Sequence, residues 1–248
     1  MSHRCGKVVV GGMNTNPQSL DEPTVHIHFL LDRSGSMASM APDVVGGFNG
    51  FLASQQAQPG RGRMTLVQFD SGDPFEVLTD GLMLSRVRPL SERTFQPRGG
   101  TPLWDAVGEL ITRASVRAEY RRVLRKRPEE TVVAVYTDGE ENQSVRFSDD
   151  DVRRLIEAKK EEGWTFVFLG AGLDAYAEGG RIAVGVGSTQ AFAPDGEGAR
   201  LAFSELSHHM NVFRAAPAAA RPAMKEDFFA DHGKVAEDDR RKRYDPKP

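Results

Sequence analysis

Two rhythms of apolar and polar positions alternate along the chain. Residues 25–31, VHIHFLL, are apolar except for His26 and His28, the pattern of a strand covered on both faces. Residues 43–58 then place Val44, Val45, Phe48, Phe51 and Leu52 at helical spacing, so a helix is expected to return along that strand. Gly46, Gly47 and Gly50 each weaken a helix by up to about 1 kcal/mol relative to Ala, which predicts close packing at those turns. A second strand is expected at 64–69. The runs 75–79 and 82–84 flank Asp80-Gly81, which predicts a hairpin or a bent edge strand.

Further on, Leu103, Ala106, Val107, Leu110, Ile111 and Ala114 form the buried stripe of a helix, and 131–137 is a β-branched run fit for a central strand. Ser148, followed by three aspartates, is expected to cap a helix carrying Val152, Leu155 and Ile156. Strands at 164–169 and 189–193 and a closing helix between 195 and 214 complete the series. Strands alternating with helices predict an α/β fold, a doubly wound and mostly parallel sheet flanked by helices with one antiparallel edge strand. Ligands of such sheets bind outside the carboxyl ends of the strands.

The flanks break the rhythm. Residues 1–23 are rich in Gly, Asn, Ser and Pro and are expected to form a flexible arm. From 215 to 248 the chain turns to Ala and Pro and then to mixed charge, which predicts a disordered tail in which Met224, Phe228 and Phe229 could form a docking patch. The folded domain is thus expected over 24–214.

Composition narrows the function classes. With 248 residues, 39% of them hydrophobic, the chain can bury one sizeable core. Its 32 basic and 35 acidic residues give a net charge of −3, so no global field recruits nucleic acid or an anionic membrane. The basic run Arg113, Arg117, Arg121, Arg122, Arg125, Lys126 and Arg127 is the local exception, and it reads first as a solvated helix end. Cys5 is the only cysteine and the apolar run at 8–10 is too short for a signal peptide or a membrane span, so a cytoplasmic protein is expected.

The chemistry gathers at strand ends. After the first strand comes DRSGSM, in which Asp32, Ser34 and Ser36 alternate with Arg33 and Gly35, so that three short oxygen-bearing side chains can converge on one point. Hard cations such as Mg²⁺ take such ligands, although the same residues also build ordinary turns. Thr101, behind Gly99-Gly100 in PRGGTPLWDAV, has two readings. It could cap the helix that starts with Pro102 and Leu103, or it could face a metal, for which Asp32 and Asp138 supply partners. Asp138-Gly139 ends the strand in TVVAVYTDGEEN.

Asp-x-Ser-x-Ser, then Thr, then Asp-Gly, on three successive strand-end loops, resemble the metal-ion-dependent adhesion site of von Willebrand factor type A domains. The resemblance runs from about residue 25 to about 214, and the wording of DRSGSM, GGFNGFL, LVQFD, RGGTPLWDAV, TDGEEN and GWTFVFLGAG is most like soluble bacterial or phage members. It implies a Rossmann-like fold and a Mg²⁺ or Mn²⁺ held by Asp32, Ser34, Ser36, Thr101 and Asp138, the last directly or through water. It also implies a partner protein that offers an Asp or Glu carboxylate to the ion.

Two other activities compete for these residues. A Mg²⁺-dependent phosphohydrolase could use Asp32 as nucleophile and Asp138 as ligand, with Glu140 or Glu141 nearby, but such enzymes resemble Asp-x-Asp loops and here the second position is Ser34. Gly170, Gly172 and Ala175 match the dinucleotide fingerprint G-x-G-x-x-A, but they follow a late strand rather than the first strand of a βαβ unit.

Overall fold

The computed structural model describes residues 23–172, 174–229 and 235–244. The arm expected at the amino terminus therefore lies, but for Pro23, outside the described residues.

Six strands form one sheet: β1 (Thr24–Asp32), β2 (Gly62–Phe69), β3 (Glu76–Met83), β4 (Glu129–Thr137), β5 (Thr165–Ala171) and β6 (Thr189–Phe192), in the order β3-β2-β1-β4-β5-β6. All neighbours pair in parallel except β2 and β3, the expected antiparallel edge. Asp80-Gly81 does not interrupt β3. Gly81 takes a left-handed φ of 56° there, and the β2/β3 register shifts on either side of Leu66, so the edge strand bends.

Helices α1 (Ala41–Ala57) and α5 (Gly196–Ala215) cover one face, and α2 (Leu103–Val123), α3 (Asp149–Glu161) and α4 (Ala175–Arg181) lie with the other. The period-two alternation of the strands divides the core accordingly. Phe29, Ala134, Tyr136 and Leu169 join Phe48 and Phe203 on the first face, while Leu30, Val133, Val135 and Phe168 join Leu110, Ile111 and Ile156 on the second. Of the three glycines of α1, only Gly47 meets the predicted close packing. A Cβ there would lie 2.4 Å from the Phe203 ring, whereas Gly46 and Gly50 have nothing within 4 Å.

The region after α5 corrects the expectation of a disordered tail. A helical turn at Arg221–Met224 and helix α6 (Val235–Tyr244) follow, and α6 packs against α5 and β6. Phe228, Phe229 and Ala236 are buried in the α5-side core. Composition understated this segment because its few apolar residues are concentrated where they meet Phe213 and His209. The buried Arg221 donates to the carbonyls of Phe213, Arg214 and Ala216 at the end of α5 and pairs with Glu130 at 2.6 Å, so its charge and the helix's free carbonyls satisfy each other. Among the described residues, no helix is long and apolar enough to cross a membrane.

The strand order turns around β1. From β1 the chain steps outward to β2 and β3, and then returns to the opposite side of β1 with β4. The crevice between the carboxyl ends of β1 and β4 is the topological switch point, and Asp32 and Asp138 lie at its two sides.

Candidate metal centre

Asp32 closes β1 fully buried. Its Oδ1 accepts the Ser34 amide at 2.7 Å and its Oδ2 accepts the Thr137 hydroxyl at 2.5 Å, so the carboxylate is fixed from its own loop and from the neighbouring strand. The Ser34 and Ser36 hydroxyl oxygens are 3.0 Å apart, and Ser36 donates to Asp138 Oδ1 at 2.7 Å. Thus one hydrogen-bonded chain joins the first loop to the third.

Thr101 enters from the second loop. Helix α2 begins at Leu103 and has no side-chain cap from its own preceding residues. Glu141, from the loop after β4, instead accepts the Trp104 amide at 2.9 Å. Capping therefore does not account for the Thr101 hydroxyl. The Thr101 backbone is clamped to the third loop, its N–H donating to Asn142 Oδ1 at 3.0 Å and its carbonyl accepting the Asn142 amide at 3.1 Å.

Gly139 shows how closely the oxygens converge. The point where any other residue would carry its Cβ lies 3.0 Å from Thr101 Oγ1, 3.6 Å from Ser36 Oγ and 3.8 Å from Asp32 Oδ2. Oxygens from the first and second loops thus border one small space against Gly139 of the third, where a Cβ would be tightly crowded. The five residues expected from the sequence are brought to one place: Asp32, Ser34 and Thr101 buried, Asp138 half-buried and Ser36 exposed.

Electrostatics leave the site short of positive charge. Among the described residues, no Lys, Arg or His forms an ion pair with Asp32 or Asp138. Burial raises the Asp32 carboxyl from 3.8 to about 6, against the lowering effect of the Thr137 and Ser34 hydrogen bonds and with a further rise from the Asp138 charge. Burial raises Asp138 as well. Among the described residues, no group of three or more His, Cys, Asp or Glu could hold an ion. Any cation here would depend on hydroxyls beside the two carboxylates, a hard all-oxygen donor set suited to Mg²⁺ or Mn²⁺ rather than to a soft metal.

Several residues that hold the site were not singled out in the sequence. The buried Arg33 pairs with Asp70 at 2.6 Å and with Glu76, and Arg98 reaches the same Asp70 at 3.2 Å. The Arg98 amide also donates to the Arg33 carbonyl at 2.9 Å and the Gly35 amide to the Gly99 carbonyl at 3.0 Å, so the first and second loops are tied together through their backbones. Asp105, at the start of α2, accepts the amides of Val145, Arg146 and Phe147 at 2.8–3.0 Å, which locks the third loop to that helix. The available signal for Asp70 was its place at the end of β2, matching that of Asp32 at the end of β1.

The other candidates resolve differently. Glu141 spends both oxygens on the amides of Trp104, Gln143 and Ser144 and on the Ser144 hydroxyl. The His26 and His28 rings lie 3.9 Å apart, tilted by 32°, toward the other end of β1 from Asp32. Of the basic run, Arg117 and Arg121 pair with Glu129, Arg113 with Glu109 and Arg122 with Glu119. Gly170 and Gly172 turn β5 into α4, a helix of one to two turns at the late position expected to exclude a dinucleotide site.

The architecture is that of von Willebrand factor type A domains. Similar solved structures include the pilus adhesin SpaC from Lactobacillus rhamnosus GG, at TM-score 0.56 and 15% identity over 79% of this chain and 31% of that one. The vWF domain of the type V pili tip protein Mfa5 from Porphyromonas gingivalis matches at 0.50 and 12%, over 78% of this chain and 97% of that one. Proximal thread matrix protein 1 from the mussel byssus matches at 0.50 and 17%, over 75% and 46%. The chain thus spans less than half the length of the mussel protein. At these identities the likeness is one of fold. No family model and no curated protein matches the sequence.

Proposed function

We propose that this protein is a metal-dependent protein-binding module in which Asp32, Ser34, Ser36, Thr101 and Asp138 hold one Mg²⁺ or Mn²⁺ that receives an Asp or Glu carboxylate from a partner. The observation that carries the reading is the space beside Gly139, bordered by oxygens of Asp32, Ser36 and Thr101, with Asp138 joined to it through Ser36. A bound ion would supply the positive charge that the buried Asp32 and half-buried Asp138 carboxylates lack, and an incoming carboxylate would meet it in a charge-assisted contact. The residues themselves do the positioning. Thr137 and the Ser34 amide orient Asp32, the Asn142 clamp fixes Thr101, and the Arg33–Asp70–Arg98 cluster keeps the two loops in register.

The same arrangement favours binding over turnover. Proton transfer to or from water needs a base held within hydrogen-bond reach, and of the two acids after Asp138, Glu141 is occupied as a helix cap and Glu140 is solvent-exposed. That two structures of this fold belong to a pilus adhesin and a pilus tip protein agrees with a binding role. Affinity capture with the immobilised protein should retain a partner in Mg²⁺ or Mn²⁺ and release it in chelator. Capture should fail with Asp32→Ala or when one acidic residue of the partner is changed to its amide. Metal-dependent phosphoester hydrolysis that disappears in Asp32→Asn would contradict the binding role.

A further inference from the structure

A cavity of about 160 Å³ adjoins the candidate metal centre, between the loop after β4 and the turn from β5 into α4. Asp138 lines it on the metal side. Phe168, Ala171 and Ala175 give it an apolar wall, and Glu140, Asp174 and Glu178 give it an acidic one. Glu178 is 8% exposed, and its Oε2 is buried without a hydrogen-bond partner among the described residues. Arg181, on the same helix and largely solvent-exposed, reaches only the other oxygen, Oε1, at 3.6 Å. Gly172, with a left-handed φ of 87° and nothing within 4 Å of a Cβ position, turns the chain without filling the space.

From this geometry we propose that the cavity receives a Lys or Arg side chain of the partner, close to the carboxylate that the metal takes. This inference rests on the proposed binding function and deepens it, since it gives the partner a basic residue next to its acidic one. The cavity is smaller than the roughly 300–1,000 Å³ typical of small-molecule sites, which fits one inserted side chain rather than a whole ligand. A basic side chain matches both walls: its methylenes lie along Phe168, Ala171 and Ala175, and its charged end comes up to the Glu178 side chain with Asp174 and Glu140 beside it. A second metal ion fits less well. Among the described residues no three acids, histidines or cysteines stand close enough to hold one.

The test uses the full chain and six-residue peptides carrying one Glu, either alone or with one Arg placed one to four residues away, read by fluorescence anisotropy in Mg²⁺ and in chelator. Wild-type protein should bind the best Glu–Arg peptide at least tenfold more tightly than the Glu-only peptide. In Glu178→Gln and in Asp174→Asn, each checked for folding by thermal melting, that gain should fall below threefold while Mg²⁺-dependent binding of the Glu-only peptide persists. Mg²⁺-dependent binding with the Arg gain intact in Glu178→Gln overturns the inference and leaves the metal reading standing. A Mn²⁺ titration showing two sites, one lost in Glu178→Gln, also overturns it, because the cavity would then seat an ion. Arg-dependent binding that ignores chelator but disappears in Glu178→Gln supports the cavity assignment and removes the metal reading. Failure of every peptide to bind overturns both.

Discussion

The paired strands β1 and β4 carry a buried carboxylate at each end, Glu129 of β4 at one and Asp32 of β1 at the other, and the two ends treat them in opposite ways. At the amino end, the side chain of Glu129 of β4 is 5% exposed and is met by Arg63 at 3.1 Å, Arg117 at 3.0 Å, Arg121 at 3.3 Å and the His26 ring at 3.1 Å. Burial alone would raise its carboxyl, but the hydrogen bonds from His26 and Arg117 and their charges outweigh burial and hold it at about 2. At the carboxyl end, Asp32 meets only a hydroxyl and an amide, and burial carries it up to about 6. One end is a closed ion cluster that helps to hold the sheet to α2. The other is a set of oxygens left in need of a cation, and such unbalanced charge in a crevice marks a binding site more often than a structural one.

Removing the acid at each end should break this contrast most sharply. Glu129→Gln leaves three guanidinium groups with no carboxylate between them, and loss of one partner from a buried ion cluster costs about 3–5 kcal/mol. Because Arg63 and Arg117 are each 29% exposed, water screens part of this, and a loss of about 3 kcal/mol is expected by chemical denaturation. Metal addition should act only at the other end. A divalent cation at 100 times its dissociation constant should stabilise wild type and Glu129→Gln alike by about 2.7 kcal/mol and leave Asp32→Asn unchanged in thermal melts.

The acid limb of stability sharpens the same comparison. The Glu129 carboxyl is lowered from 4.5 to about 2, so its contribution is fully present above 4.5 and is lost as pH falls from there through about 2. His26 and His28, both lowered from 6.5 with burial as the first cause, add a loss that begins near 6.5, and it is larger in the variant because the Glu129 charge raises both histidines in the wild type. The difference between wild type and Glu129→Gln should therefore widen as pH falls below 6.5 and shrink again below pH 4.5 in urea titrations at fixed ionic strength. The smallest effect is expected from Asp32→Asn in chelator. The amide loses one charge that had no cationic partner and keeps the shape of the side chain, so stability should change by less than about 1 kcal/mol.

Much of this was readable from residue pattern. The strand and helix series followed from periodicity, because a sheet buried on both faces leaves near-continuous apolar runs such as 131–137. The five oxygen-bearing residues were legible because they are short polar groups at strand ends. What holds them was not. Asp70, Thr137, Asp105 and Asn142 act across sequence separations of 37, 105, 40 and 41 residues, and no local pattern encodes such pairings. The role of Thr101 stayed open for the same reason, since the residue that caps α2 in its place, Glu141, lies 37 residues from the amide it accepts. The segment after α5 was misread because disorder was inferred from average composition. Its order comes from two adjacent phenylalanines and one arginine placed against the end of α5.

Titration of the chelator-treated protein with Mn²⁺, followed by calorimetry and by the loss of the free-ion electron paramagnetic resonance signal, tests the central claim most directly. Wild type and Glu129→Gln should bind one ion per chain, and Asp32→Asn and Thr101→Val should bind none under the same conditions. An unchanged single site in both of those variants would contradict the assignment of the cation to the carboxyl end of β1 and β4.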